Sequence, residues 1–134
     1  MIIKIGVLVE NKNKLLLIKE LNDHNGKYYW NIIKGTFEPE KDRDFSETAK
    51  RESKEEAGIL IKVDYLQSIM YLRRKNTLQF NFKASIKKGT PKIPRNIAQK
   101  KRGENIVEIK FFDRKGLKKN ERKRFYERAG IRSY

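Results

Sequence analysis

Three glutamates close together in the chain have the residue type and spacing for metal-dependent chemistry. Glu52, Glu55 and Glu56 lie within the segment RESKEEAGI, residues 51–59. On an α-helix, positions three and four apart share one face, so the three carboxylates converge. Carboxylate oxygens suit Mg²⁺, and Mn²⁺ is the alternative ion. The spacing therefore predicts a divalent-metal site.

The same segment has a plainer interpretation. Lys50, Arg51 and Lys54 alternate with the glutamates, and a solvated helix face has this composition too. The surrounding residues favour the metal site. Gly35 and an acidic stretch precede the predicted helix, and Gly58 follows the last glutamate.

This order of residues resembles the signature of the Nudix hydrolases, Gly-x5-Glu-x7-Arg-Glu-U-x-Glu-Glu-x-Gly-U, where U is aliphatic. Seven of its nine fixed positions are filled, by Gly35, Arg51, Glu52, Glu55, Glu56, Gly58 and Ile59. The preceding WNIIKG resembles the lead-in of some members. The resemblance implies an α/β/α sandwich around a mixed β-sheet. It also implies Mg²⁺-dependent hydrolysis of phosphoanhydride bonds in nucleoside diphosphate derivatives, such as nucleoside triphosphates or dinucleoside polyphosphates.

The chain departs from the signature just before the helix. Residues 35–51 are two residues longer than the signature allows, and its first glutamate falls at Lys41 or Arg43, depending on the direction of counting. Neither residue is acidic. Glu40 and Asp42 flank the first of these positions, and a bulge in the loop would let one of them serve.

The resemblance also assigns roles to individual residues. It implies Glu52, Glu55 and Glu56 as metal ligands, and Glu55 and Arg51 as catalytic residues, the arginine in an orienting role. Arg51 precedes Glu55 by four residues and can pair with it along the helix. The resemblance also implies a further catalytic glutamate from a loop beyond the helix, and Glu104, which precedes a predicted strand, lies at the matching place. An ordinary loop carboxylate is its other interpretation, and Glu108 within the strand is the alternative residue.

Lys34 and Gly35 are the predicted substrate-binding residues. Glycine lets the backbone approach a ligand closely, and lysine supplies a positive charge for a phosphate. The other interpretation of Lys34 is a solvated lysine at a turn.

Alternating apolar residues predict the strands that position these side chains. The predicted strands are Ile3–Val9, Lys14–Lys19, Trp30–Ile33, Ile61–Arg73, Leu78–Ile86 and Ile106–Phe112. Asp44, with Glu47 three residues later, predicts the N-cap of a helix that Gly58 ends. A second helix is predicted over Leu117–Ala129, and the basic stretch 83–103 is predicted to be a loop after the strand ends at Ile86. This pattern predicts one α/β domain over residues 1–134.

The net charge of +16 narrows the choice of partners. Residues 83–103 contain eight lysines and arginines and no acid, and such a field attracts polyanions. Nucleotide polyphosphates fit this expectation, and so does RNA bound through the basic loop. Two alternatives therefore stay open: an RNA 5′-end pyrophosphohydrolase, and a catalytically inactive nucleotide- or RNA-binding module. A loop that only improves solubility would have the same composition.

Other sequence features exclude several classes of protein. The chain has no cysteine, so there is no disulfide framework and no thiolate nucleophile. His24 is the only histidine and lies in a polar turn, which argues against a histidine-dependent triad. The apolar run 1–9 is too short for a membrane span and lacks the layout of a signal peptide. A cytoplasmic protein without membrane attachment is expected.

Overall fold

Seven strands and two α-helices make up residues 1–113, the part of the chain that the computed structural model describes. Neither of these helices is long and apolar enough to span a membrane. The predicted helix Leu117–Ala129 lies outside the described residues. The elements are β1 (Ile2–Asn11), β2 (Lys14–Leu21), β3 (Tyr28–Asn31), β4 (Ile33–Thr36), α1 (Phe45–Ala57), β5 (Leu60–Leu72), β6 (Thr77–Lys88), α2 (Asn96–Arg102) and β7 (Ile106–Asp113).

The strands form a mixed sheet in which β1 is central. β1 runs parallel to β6 and antiparallel to β4, and β6 pairs antiparallel with β5. β2 lies between β3 and β7, antiparallel to both, and joins β1 through the pairs Glu10–Leu15 and Asn11–Lys14. This mixed sheet, with α1 against it, confirms the predicted α/β fold.

The parallel pairing of β1 with β6 builds the core beneath α1. It places Ile5 beside Phe80 and Val7 beside Phe82, and both β1 residues are fully buried. Ala49 and Ala57 of α1 pack against the same cluster. Burial of a valine or isoleucine side chain contributes about 1.5–3 kcal/mol, so this core holds α1 firmly on the sheet.

Both ends of α1 are fixed as the sequence predicts. The Asp44 side chain accepts a hydrogen bond from the Glu47 backbone N–H at 2.9 Å. Gly58 has a left-handed backbone with φ of 67°, and its N–H donates to the carbonyl of Lys54 at 3.0 Å. Glycine adopts this conformation at little cost. The caps therefore set where the helical glutamates lie.

The predicted strand Trp30–Ile33 is in fact two strands, so that prediction was wrong. Trp30 pairs with Lys19 of β2, whereas Ile33 pairs with Val7 of β1. The strand is interrupted at Ile32, because the chain crosses here from pairing with β2 to pairing with β1. The alternation of apolar residues does not report a change of partner strand.

The prediction that the basic stretch 83–103 is a loop after Ile86 was also wrong. β6 continues to Lys88, and α2 occupies Asn96–Arg102. Gln99 is the one buried residue of this short helix, so the helix has no apolar stripe to reveal it. Hydrogen bonds of the Gln99 side chain stabilise the segment instead.

Candidate active site

Three carboxylates from two parts of the chain converge in the fold. Glu52 and Glu56 come from α1, and Glu104 comes from the segment between α2 and β7. One carboxylate oxygen from each lies within 4.8 Å of the other two. Glu52 is 8% exposed and Glu56 is 5% exposed. We call these three residues the carboxylate cluster.

The electrostatics of the carboxylate cluster are unfavourable without a cation. Burial raises the pKa of Glu52 to about 7, although the neighbouring Arg51 guanidinium lowers it. Burial also raises the pKa of Glu56 well above its ordinary value, and the charge of Glu52 adds to this shift. Buried oxygen ligands of like charge are the donor set that a hard divalent cation prefers. The cluster therefore fits such an ion.

Glu20 on β2 is a further acidic residue near the cluster, and the sequence analysis missed it. Burial raises its pKa, and the charge of Glu104 raises it further. A sequence signal exists, because Leu16, Ile18 and Glu20 share one face of β2 and the first two are core residues. An acid that continues an apolar face is a candidate functional residue.

β4 contacts both helical glutamates of the cluster. The backbone N–H of Lys34 donates a hydrogen bond to Glu56 Oε2 at 3.3 Å. A Cβ atom at Gly35 would overlap the carboxyl group of Glu52, so glycine is needed here for Glu52 to keep its position. Burial lowers the pKa of the Lys34 ammonium, and the nearby charges of Glu20 and Glu56 oppose this shift. The structure thus brings both predicted substrate-binding residues to the cluster.

We expect Gly35→Ala to lower kcat by about 10²-fold, because the added methyl group displaces the Glu52 carboxylate, and a shift of about 1 Å has this effect. The matched control is Gly26→Asn, since Gly26 has a positive φ that asparagine tolerates and no atom near its Cβ position. Steady-state kinetics and circular dichroism of both variants test the prediction. Unchanged kcat in a folded Gly35→Ala variant would contradict it.

Asp42 forms a buried ion pair with Arg51. It is 3% exposed and accepts hydrogen bonds from Arg51 Nε at 3.0 Å and from Nη2 at 2.8 Å. The hydroxyl group of Thr48 also donates to it, at 3.0 Å. The Arg51 hydrogen bonds lower the pKa of Asp42 to about 2. Glu40 is exposed, so Asp42 is the acid that the lengthened loop brings to the arginine.

Arg51 connects this ion pair with the carboxylate cluster. Its Nη1 donates to Glu52 Oε1 at 2.9 Å, and its Nη2 donates to the carbonyl of Thr36 at 3.2 Å. Glu55 lies 3.8 Å from the same guanidinium, as the helical spacing predicts, but outside the carboxylate cluster. Its side chain is 32% exposed. Arg51 therefore orients Glu52, and Glu55 faces more open space.

Residues of α2 position Glu104. The Gln99 side chain donates to the carbonyls of Pro94 and Ile106, and accepts from the Ile106 N–H at 2.7 Å. Arg102 Nε donates to Glu104 Oε1 at 2.9 Å. Neither Gln99 nor Arg102 was predicted from the sequence, although Gly103 after a basic run is a helix-end signal.

The structure also separates the two glutamates that the sequence analysis compared. Glu104 joins the carboxylate cluster, whereas the Glu108 side chain is 49% exposed and lies 3.9 Å from Lys19. The difference follows from position, because Glu104 precedes β7 and Glu108 lies within it. The site therefore combines a divalent-cation ligand set with nearby basic groups, as metal-assisted phosphate chemistry requires.

Comparisons with known proteins agree with this geometry. The chain is similar to a Nudix hydrolase from Nitrosomonas europaea, with a TM-score of 0.71 and 21% identity, over 90% of this chain and 61% of that one. It thus spans about three fifths of that relative. An ADP-ribose pyrophosphatase from Streptococcus suis has a TM-score of 0.66 and 17% identity, over 87% of this chain and 76% of that one. A MutT Nudix hydrolase from Burkholderia pseudomallei has a TM-score of 0.63 and 16% identity, over 87% and 86%.

Identities this low show a shared fold and leave the reaction to be argued from the site. No curated protein matches the sequence significantly. The family model of the NUDIX domain, however, matches residues 2–129, which is nearly the whole chain. The chain belongs to the NUDIX domain family.

Proposed function

We propose that this protein is a divalent-metal-dependent hydrolase that splits phosphoanhydride bonds in nucleoside diphosphate derivatives. The convergence of Glu52, Glu56 and Glu104 against the backbone of Gly35 carries the proposal. Membership of the NUDIX domain family supports the reaction class. Mg²⁺ is the proposed ion, with Mn²⁺ as a substitute, because all the donors are carboxylate oxygens.

Each residue of the site has a distinct proposed role. The carboxylate cluster holds the cation, which when bound neutralises charge on the phosphate oxygens. Arg51 fixes the Glu52 carboxylate through its 2.9 Å hydrogen bond. Lys34 supplies a positive charge to a phosphate of the substrate, and Gly35 gives the room that Glu52 needs.

Glu55 is proposed as the general base, because it is the glutamate of the motif that lies outside the cluster and stays partly exposed. In the proposed reaction, a water oxygen forms a bond to phosphorus as the anhydride P–O bond breaks. The proton of the water passes to Glu55. The leaving phosphate or nucleotide departs with the electron pair of the broken bond.

Mass spectrometry of one pooled substrate panel tests this function. The panel holds nucleoside triphosphates, dinucleoside polyphosphates, a nucleotide sugar, ADP-ribose and a short triphosphorylated RNA, each with Mg²⁺ and with chelator. We expect metal-dependent products from the wild type. Glu55→Gln should lower turnover by about 10²-fold or more, as loss of a general base does. It should still show the rise in melting temperature that Mg²⁺ gives the wild type.

The same panel, measured over a series of salt concentrations, separates the two alternatives. The basic segment 83–103 favours RNA 5′-end hydrolysis as the second candidate function, and contacts with several phosphates make RNA turnover fall steeply with salt. Equal salt dependence for RNA and mononucleotides would remove that candidate. Binding without turnover across the panel would leave the inactive nucleotide- or RNA-binding module. Turnover that survives Glu55→Gln would contradict the proposed base.

We also propose one catalytic domain over residues 1–134. The strands and helices of residues 1–113 and the family match over residues 2–129 support it. A cytoplasmic location stays a prediction from the sequence. A nucleotide polyphosphate is the proposed small-molecule partner.

A further inference from the structure

An open pocket of about 600 Å³ lies beside the carboxylate cluster, between the second half of α1 and the segment that contains α2. Its volume falls within the range of small-molecule sites. Ile93, Pro94 and Ala98 form an apolar part of its wall. We call it the basic pocket, because its charged lining is Arg51, Lys54, Glu55, Lys92, Arg95 and Arg102.

Three of the five cations in the basic pocket lack an acidic partner among the described residues 1–113. Arg51 and Arg102 pair with carboxylates of the site. Lys54, Lys92 and Arg95 have no ion pair with any residue of the described range 1–113. Unpaired like charges around a concave surface focus a positive potential, which favours an anionic ligand.

The backbone geometry fixes the position of Lys92. Its N–H donates a hydrogen bond to the carbonyl of Ala57, at the end of α1, at 2.9 Å. Its side-chain stem runs over Gly58, where an added Cβ would lie 3.2 Å from both Cγ and Cε. The lysine is therefore held at the pocket by the end of α1.

The basic pocket shares a wall with the carboxylate cluster. Arg51 and Arg102 line the pocket, and each donates a hydrogen bond of 2.9 Å to a glutamate of the cluster, Glu52 and Glu104 respectively. Glu55 also lines the pocket. A phosphate chain with one anhydride at the cluster would thus reach the pocket with its next phosphoryl groups.

We propose that the basic pocket binds phosphoryl groups outside the scissile anhydride. Preferred substrates are then small molecules with three or more phosphoryl groups, such as dinucleoside polyphosphates and nucleoside triphosphates. Compounds with two phosphoryl groups, such as ADP-ribose, leave Lys54, Lys92 and Arg95 unpaired. This inference rests on the proposed hydrolase function.

Kinetics of a charge variant form the first arm of the test. In Lys92→Gln/Arg95→Gln, we expect kcat/KM for diadenosine tetraphosphate to fall by at least about tenfold, as the loss of charge-assisted phosphate contacts does. The value for ADP-ribose should change by less than about twofold. Lys14→Gln/Lys62→Gln is the matched control, because it removes the same charge from exposed strand positions. An equal loss for both substrates would overturn the inference.

Binding of inorganic tripolyphosphate forms the second arm. Calorimetry in chelator at constant ionic strength measures affinity without metal and without turnover. We expect Kd to rise about tenfold in Lys92→Gln/Arg95→Gln and to stay unchanged in the control. The inference would be overturned if tripolyphosphate did not bind the wild type. It would also be overturned if Lys92→Gln/Arg95→Gln and the control variant bound tripolyphosphate with equal affinity. Pocket-dependent binding without hydrolysis of any panel compound would instead remove the proposed function and leave the anion site standing.

Discussion

Glu56→Gln is expected to lower turnover by about 10³-fold while the protein stays folded. The glutamine keeps the shape of the side chain but loses the negative charge that a divalent cation needs. Loss of a ligand forfeits several kcal/mol of charge stabilisation in the transition state, and each 1.36 kcal/mol is a factor of ten. Initial rates on a substrate identified with the pooled panel, at saturating Mg²⁺, measure the effect.

A stability measurement distinguishes this effect from a folding defect. Glu56 is buried among like charges, so its replacement by a neutral amide should leave the metal-free protein at least as stable as the wild type. Addition of Mg²⁺ should raise the melting temperature of the wild type but not that of Glu56→Gln. Glu108→Gln is the control and should behave as the wild type in both assays. Retained turnover in Glu56→Gln would contradict the assignment of the carboxylate cluster.

The sequence predicts most of the strands and the central helix because their signals are local. Leu78, Phe80 and Phe82 alternate with polar residues, and the strand forms where this alternation lies. Asp44 and Gly58 carry the chemistry of helix ends, and α1 begins and ends beside them. Such patterns can be interpreted from residues that are neighbours in the sequence.

Features that depend on contacts between distant residues could not be predicted in the same way. α2 is stabilised by polar contacts of Gln99 with Pro94 and Ile106, and no periodic pattern records them. Glu104 reaches Glu52 and Glu56 only through the fold. The family resemblance supplied Glu104. The helical spacing predicted Glu55 beside Glu52 and Glu56, and in the fold Glu55 lies outside the carboxylate cluster.

The lengthened loop before α1 combines a feature that the sequence predicts with one that only the fold decides. Counting along the chain placed the missing acid at a lysine or an arginine, with Glu40 and Asp42 as possible substitutes. The fold brings Asp42 to Arg51 and leaves Glu40 exposed. The lengthened loop therefore supplies the acid of an acid–arginine pair, and loss of this pair has a second large expected effect.

Asp42→Asn is expected to lower the free energy of unfolding by about 3 kcal/mol at pH 6, because it leaves the charge of Arg51 without its buried partner. The wild-type pair forms two hydrogen bonds, at 3.0 and 2.8 Å, and the asparagine amide cannot accept both. Urea unfolding curves measure the difference. Glu40→Gln, a neutral substitution in the same loop, should change stability by less than about 0.5 kcal/mol. Similar losses in the two variants would contradict the assignment.

The difference between wild type and Asp42→Asn should also depend on pH in a defined direction. Arg51 holds the folded-state pKa of Asp42 at about 2, below the ordinary value of 3.8. A depressed pKa contributes stability above the unfolded-state value, and this contribution is lost as the pH falls through the folded-state value. The advantage of the wild type should therefore persist from pH 6 to about 4 and shrink between about 4 and 2. A difference that stays constant down to pH 2 would show that shape, rather than the charge of Asp42, stabilises the loop.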